Sequence, residues 1–409
     1  MNDPRLDAWR TLATAASAPL REAAAEVEAA GVTPAALARL RKAHPGEAVP
    51  EALELAGARR RGSAKFPDPG RLLLDRAGVE QATSAVVATW KAARFGDEPV
   101  LDLCCGIGGD AMALAARGPC LGIDRDPVRA FMAAHNANIE TIVSDVEDVP
   151  IDRPLVHLDP ARRDESTGRR SWRTEDLVPG IEAIRRIVAE AGGAAIKLGP
   201  GLPMPPPVLH GDQSVSIIAE SGRLVQAILW TGRLARSAAV EAVDLPSGRT
   251  IEGASAGLRS GSIELEGALI EFHPAVERAG LGPLVLRRDL GLEEPVVEPA
   301  AGLGLAVVDR ASVDHAVAEG RDGWFRAMAI DAVVGPRPEL VAEAIRATND
   351  RPRQVVVRTR GGAVDADDWT RRFAPLGGPD GAGMVEVHGI RLGRRTVAVV
   401  GRPITQSKS

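Results

Sequence analysis

Between residues 98 and 200 the chain alternates short apolar runs with longer mixed ones. PVLDLCC, PCLGID, ETIVSD, PLVHLD and GAAIKLG read as strands, and GDAMALAARG, DPVRAFMAAHNA and LVPGIEAIRRIVAEA read as helices. Apolar strands alternating with helices predict an α/β fold, a mostly parallel sheet covered by helices on both faces. The rhythm then changes. SVSIIAESGRLVQAILWTG holds two β-rich runs across Ser221-Gly222 with no helix between them. That predicts antiparallel strands closing one edge of the sheet.

The flanking segments follow other patterns. Residues 1–74 read as short helices interrupted at Pro19, Gly31 and Pro45, with Thr33 as an N-cap and Pro34 at the first helical position. KFPDPG (65–70) reads as a turn-rich linker, and EQATSAVVATWKAARF (80–95) as a helix leading into the sheet. Residues 246–333 are glycine-rich, with strands expected at 262–271 and 304–309, and read as a connecting or extension region. From 334 to 409, RPELVAEAIRAT, RQVVVRTRG, DADDWTRRF and GMVEVHGIRLGRRTVAVVG predict helix, strand, helix and hairpin, a small α+β module. The expected segments are therefore 1–74, 75–245, 246–333 and 334–409.

Composition narrows the class. A chain of 409 residues, 45% of them hydrophobic, exceeds one ordinary domain and suits a soluble protein. No apolar stretch is long enough for a membrane helix, and MNDPRLDAWR lacks a signal-peptide core. Three cysteines, Cys104, Cys105 and Cys120, form no disulfide framework, which implies a reducing, cytoplasmic setting. The net charge of −5 argues against a generally cationic nucleic-acid binder, although residues 351–403 carry ten arginines against five acids. With no tyrosine and six residues each of Phe and Trp, no large base-stacking platform is expected. The seven histidines show no metal-ligand spacing, so no metal is expected, and His157 reads as a core histidine.

The chemistry concentrates in DLCCGIGGDA, residues 102–111. Gly106, Gly108 and Gly109 open a helix after a strand, and GIGGDA fits G-x-G-x-x-A, a turn that lets a ligand approach the backbone. Asp124, at the end of the next strand, is the acid that such sites place on a ribose. These features alone leave nicotinamide dinucleotides and S-adenosyl-L-methionine both open. Asp102 before the glycines disfavours a pyrophosphate and suits a ligand with ammonium and sulfonium centres. HLDPARR then puts Asp159 and Pro160 at the carboxyl edge of the sheet, where open α/β sheets hold their ligands.

VLDLCCGIGGDAMALA, LGIDRDPVRAFMAAHNA, TIVSDVED and LVHLDPARR resemble, in order and spacing, the first four motifs of class I S-adenosylmethionine-dependent methyltransferases. EQATS (80–84), DPARR, HPAVERAGL (273–281) and RGGAVDADDWTRRF (360–373) further resemble the bacterial members with a C-terminal THUMP-like domain. The resemblance implies a Rossmann-like methyltransferase sheet with a helical N-terminal extension and an α+β C-terminal module. It implies a cofactor site of Gln81, Asp102, Cys104, Gly106, Gly108, Gly109, Asp124, Arg125, Asp145 and Val146. Asp124 would take the ribose hydroxyls, with Arg125, Asp145 and Val146 around the adenine. Asp159, Pro160 and Arg162 would form the catalytic group.

Two departures stand out. Cys104 occupies the position often held by the first glycine of the loop. Asp159-Pro160-Ala161-Arg162 lacks the aromatic with which amine-methylating relatives stack the target base. None of the cysteines is placed as the nucleophile that uridine C5 methylation needs. Arg162, Arg163, Arg169, Arg170 and Arg173 follow the acceptor position, with Trp172 among them, and arginine forks suit phosphates. Together with Arg358 and Arg360 of the basic C-terminal stretch they make RNA the expected substrate. A small-molecule or protein methyltransferase, or a non-catalytic RNA-binding protein with a vestigial fold, are the alternatives.

Overall fold

The computed structural model describes residues 3–44, 48–151, 155–162, 177–261, 264–292, 297–300 and 302–406. The chain divides into two compact units, one of residues 1–221, 225–239 and 244–249, the other of 222–224, 240–243 and 250–409. Among the described residues no helix is long and apolar enough to cross a membrane.

In chain order the first strands are β1 (Val100–Leu103), β2 (Cys120–Asp124), β3 (Glu140–Val143), β4 (Leu155–Leu158), the short pair β5 (Ala161–Arg162) and β6 (Leu177–Val178), and β7 (Gly193–Leu198). They are followed by β8 (Gln213–Glu220), β9 (Arg223–Gly232), β10 (Val240–Leu245) and β11 (Arg249–Gly253). The sheet order is β11-β10-β8-β9-β7-β4-β1-β2-β3, and β5 pairs with β6 in a separate two-stranded ribbon. The pairs from β3 through β2, β1 and β4 to β7 are parallel, and β7 meets β9 antiparallel, as the change of rhythm predicts. Ser221 and Gly222 both have positive φ, 51° and 74°, the combination a two-residue hairpin turn needs.

The N-terminal helices, Pro4–Ala13, Ala18–Ala30, Pro34–Ala43 and Val49–Gly62, do not stand apart. Thr33 caps the third as expected, its hydroxyl accepting from the Ala36 N–H at 3.2 Å. Trp9, Leu12, Leu55 and Leu74 share one core with Ile107, Val128 and Met132 of the sheet region. Asn136 stitches the two together. It accepts from the Leu73 N–H at 2.8 Å and donates to the carbonyls of Leu73 and Ile107, each at 2.9 Å. Residues 1–74 therefore belong to the same unit as the sheet, because their apolar faces are buried on it.

The helix expected over 80–95 is broken into Arg76–Gln81 and Ala85–Ala92. Ser84 caps the second piece, accepting from the Val87 N–H at 3.4 Å. The Lys65 ammonium ends the first by donating to the carbonyls of Val79 (2.7 Å), Glu80 (3.0 Å) and Ala82 (2.7 Å). A capping serine and a cation at a helix C-terminus outweigh continuous helix propensity.

The second unit contains β12 (Arg259–Ser260), β13 (Ala268–Phe272), β14 (Val297–Glu298), β15 (Leu305–Val308), β16 (Phe325–Val334), β17 (Gln354–Arg360), β18 (Met384–Leu392) and β19 (Arg395–Ile404). Six of them form a sheet of order β15-β13-β16-β19-β18-β17. β17 and β18 are parallel, and the other neighbours are antiparallel. Helices Pro338–Thr348 and Ala366–Phe373 cover one face through Val341, Ile345, Trp369 and Phe373. Residues 246–333, read from the sequence as a connection, thus supply three strands of this sheet. β16 runs across the expected boundary at 333/334, since its pairing with β13 and β19 depends on residues far away in the chain.

Candidate active site

The loop after β1 uses its small residues for different reasons. Gly106 and Gly108 have φ of 55° and 83°, and Cys104 joins them at 58°. A Cβ on Gly108 would lie 3.0 Å from Ala133 Cα, and one on Gly109 would lie 3.2 Å from Ala82 Cβ, so close packing requires both glycines. A Cβ on Gly106 would meet no protein atom within 4 Å, so the space beside that backbone is open to a ligand. Cys104 accepts the left-handed conformation at about 1–2 kcal/mol. Cys104→Gly is expected to change stability by less than about 1 kcal/mol, because relief of strain offsets the greater freedom of glycine in the unfolded chain. Cys104→Val is expected to lose about 2–3 kcal/mol, since β-branched residues fit that region worst. Urea unfolding of both variants checks this, and equal stabilities would show that the loop relaxes out of the strained region.

Asp124 closes β2 and braces the loop. Its Oδ2 accepts from the Gly106 N–H and its Oδ1 from the Asp126 N–H, each at 2.9 Å. Each oxygen retains a lone pair, so a diol can still bond to it. Burial raises the pKa of Asp124, and the two backbone bonds offset this in part.

Beneath the loop lies a fully enclosed chain of polar groups. Asp102 Oδ1 accepts from His157 Nδ1 at 2.6 Å, and His157 Nε2 accepts from Lys91 Nζ at 2.9 Å. With the Nδ1 proton directed at Asp102, Nε2 is the acceptor for Lys91. Lys91 also meets Asp110 Oδ1 at 2.7 Å, and the Thr83 hydroxyl donates to Asp110 Oδ2 at 2.8 Å. Burial alone would raise Asp110, but the Lys91 ammonium, aided by that of Lys197, holds it well below the usual carboxylate range. Burial pushes Asp102 up despite its bond to His157. The side chain of Asp102, expected to touch the cofactor, is 0% exposed and bonded to His157. His157 is a core histidine, as expected, but one held in a charged ladder. Asp110 sits inside the glycine motif but drew no role there, and Lys91 carried no motif; its signal was a lysine inside the apolar run AVVATWKAA.

The other expected residues gather at the carboxyl ends of the same strands. The Asp159 N–H donates to the Leu103 carbonyl at 3.1 Å, beside Cys104, and Asp159 Oδ2 accepts from Lys197 Nζ at 2.7 Å. Pro160 and Val146 are buried, whereas Gln81, Arg125 and Asp145 are exposed. Asp145 accepts from the Glu147 N–H at 3.0 Å. Arg162 lies in β5, opposite Leu177. Arg163, Arg169, Arg170, Trp172 and Arg173 lie outside the described residues. Burial, and then the carboxylates of Asp124, Asp159, Asp102 and Asp145, push the Cys104 thiol far up, so it stays protonated and is no nucleophile.

Arg358 and Arg360, expected to contact substrate, lie in the second unit and are paired with acids. Arg358 Nε stands 3.9 Å from Glu271 and 3.7 Å from Glu386, and Arg360 is bonded to Glu271. Glu386 is further held by His388 at 3.2 Å. Arg360 is thus taken up by Glu271 and Arg358 stands near two acids, which the linear sequence could not reveal because the acids come from β13 and β18.

No family model matches the chain. It is 32% identical over 211 residues to an uncharacterized S-adenosylmethionine-dependent methyltransferase of Mycobacterium tuberculosis, in strains CDC 1551 and H37Rv. The match covers 48% of this chain and 58% of that relative, so it spans little more than half the relative's length. Among solved structures, a candidate methyltransferase from Porphyromonas gingivalis W83 superposes with a TM-score of 0.63 at 16% identity, covering 90% of this chain and 97% of that one. The fold is Rossmann-like, of the methyltransferase kind. In it the acids of β2 and of the β4 end, together with the loop after β1, stand on the edge where such folds take their ligands.

Proposed function

We propose that the chain is an enzyme, an S-adenosyl-L-methionine-dependent methyltransferase that modifies a nucleotide of RNA in a reducing, cytoplasmic setting. One arrangement carries the cofactor: the carboxylates of Asp124, Asp145 and Asp159 stand at the carboxyl ends of β2, β3 and β4, near the loop that leaves the backbone of Gly106 open. Such a field repels a pyrophosphate and favours a ligand bearing an ammonium and a sulfonium. The name of the M. tuberculosis relative supports the same reading. When bound, the cofactor supplies a methyl group on cationic sulfur, open to in-line displacement. The protein's share is positioning. Asp124 takes the ribose diol, while Arg125, Asp145 and Val146 surround the adenine. Cys104, Gly106, Gly108 and Gly109 form the floor, and the exposed Gln81 is supplied by the segment before the sheet. Asp159 accepts a hydrogen bond from the acceptor, and Pro160 keeps the turn short.

The RNA half of the reading rests on the five arginines between 162 and 173, which begin three residues after Asp159. The resemblance of the C-terminal part to THUMP-like domains supports the same partner, although Arg358 and Arg360 are committed to acids. The deciding experiment compares methylated nucleosides in total RNA, by mass spectrometry, from strains with and without the gene. One methylated nucleoside should vanish and return with the wild-type chain but not with Asp124→Ala. An unchanged profile, with S-adenosylhomocysteine still bound, would redirect the acceptor to a small molecule or protein. Absence of S-adenosylhomocysteine binding at high micromolar concentration would overturn the cofactor as well.

A further inference from the structure

Lys197, at the end of β7, has no place in the roles assigned so far. Its side chain is only 14% exposed, and its ammonium donates both to Asp159 Oδ2 at 2.7 Å and to the Gln81 carbonyl at 3.1 Å. Lys65 captures the carbonyls on either side of Gln81, so four successive carbonyls, 79 to 82, end on two ammonium groups. The segment they hold lies against the glycine loop. Gly109 would bring a Cβ within 3.2 Å of Ala82 Cβ, and Thr83 bonds Asp110. Asp159 is meanwhile tied by its own N–H to the Leu103 carbonyl at the mouth of that loop.

We infer that Lys197 is the positioning residue of the acceptor site, locking Asp159 by one oxygen to the 79–82 segment so that Oδ1 alone is left to meet the acceptor. This rests on the reading of Asp159 as the acid on the acceptor side. A carboxylate held at its backbone and at one oxygen has little freedom left to lose, and methyl transfer by alignment needs that order. Burial would lower Lys197, but Asp159 and Asp110 outweigh it and raise it, so Lys197 remains an ammonium and takes no proton from the acceptor.

The test uses the full chain with Lys197→Met, Lys197→Arg, Asp159→Asn and the Lys197→Met/Asp159→Asn double variant. In a double-mutant cycle on urea unfolding, the pair should couple by about threefold or more in the folding constant. Calorimetry with S-adenosylhomocysteine should give a Kd for Lys197→Met raised by less than about tenfold, well short of the effect on kcat, since Lys65 still holds three of the four carbonyls after that of Gln81 is released. In methyl transfer to RNA from the deletion strain, Lys197→Met should lower kcat by about 100-fold with little change in the acceptor KM, and Lys197→Arg should recover about tenfold. Weaker coupling, a larger loss of S-adenosylhomocysteine affinity, or an arginine variant no better than methionine would each overturn the inference. If the wild type transfers no methyl group to RNA, the RNA reading fails by itself, and the cycle and the calorimetry decide the role of Lys197.

Discussion

Lys91→Met is expected to cost about 3–5 kcal/mol of folding stability, the usual penalty for removing one partner of a buried ion pair. Lys91 is 1% exposed and meets both Asp110 and His157 Nε2. Methionine replaces the alkyl stem but leaves a buried carboxylate without its counter-charge, bonded still to the Thr83 hydroxyl, and a buried imidazole lone pair without its donor. The pH dependence has a definite sign. In the wild type Asp110 is held below the ordinary carboxylate range, so its contribution is complete above that range and is lost as pH falls. In the variant, burial without the cation favours protonated Asp110, so the deficit should shrink between neutral pH and the carboxylate range. Urea unfolding at both pH values measures this. A loss below about 1 kcal/mol, or a deficit independent of pH, would mean that the pair does not hold the floor of the site. Lys91→Met/Asp110→Leu should recover much of the loss, because the unpaired charge goes with the second change.

Asp124→Ala should weaken S-adenosylhomocysteine about 100-fold or more, since two charge-assisted bonds to a ribose diol are lost. The change also releases the Gly106 and Asp126 N–H groups, so the loop loses its brace together with its ligand contact. Because burial raises the Asp124 pKa, wild-type binding should fall off as pH drops through a range higher than an exposed aspartate would give. Calorimetry across acidic pH reads both effects. Affinity changed by less than about threefold in Asp124→Ala would remove the ribose role and with it the main anchor of the proposed cofactor.

Much of the first unit was legible along the chain because its information is local. Apolar strands and capped helices follow one another within a few tens of residues, and Ser221-Gly222 announces its own turn. The glycine loop was equally plain, since Gly106, Gly108 and Asp124 stand in fixed order around one strand–turn–helix. The break at Ala82–Ser84 was missed, because the lysines that stop the helix come from positions 65 and 197. Within 246–333 the strands expected at 262–271 and 304–309 appear as β13 and β15, whereas β16 was missed for a similar reason: it becomes a strand by pairing with β13 and with the distant β19.

By itself the sequence determined the order of elements, the glycine turn, and which acids end the strands, all properties of short-range geometry and side-chain type. Only the tertiary structure decided what those acids face. It buried Asp102 against His157, joined Lys91 to Asp110, set Lys197 on Asp159, bonded Arg360 to Glu271, and put Glu386 beside Arg358. The physical reason is that a charge taken out of water needs a counter-charge within a few ångströms, and the partners that meet this demand come from strands and helices distant in the chain.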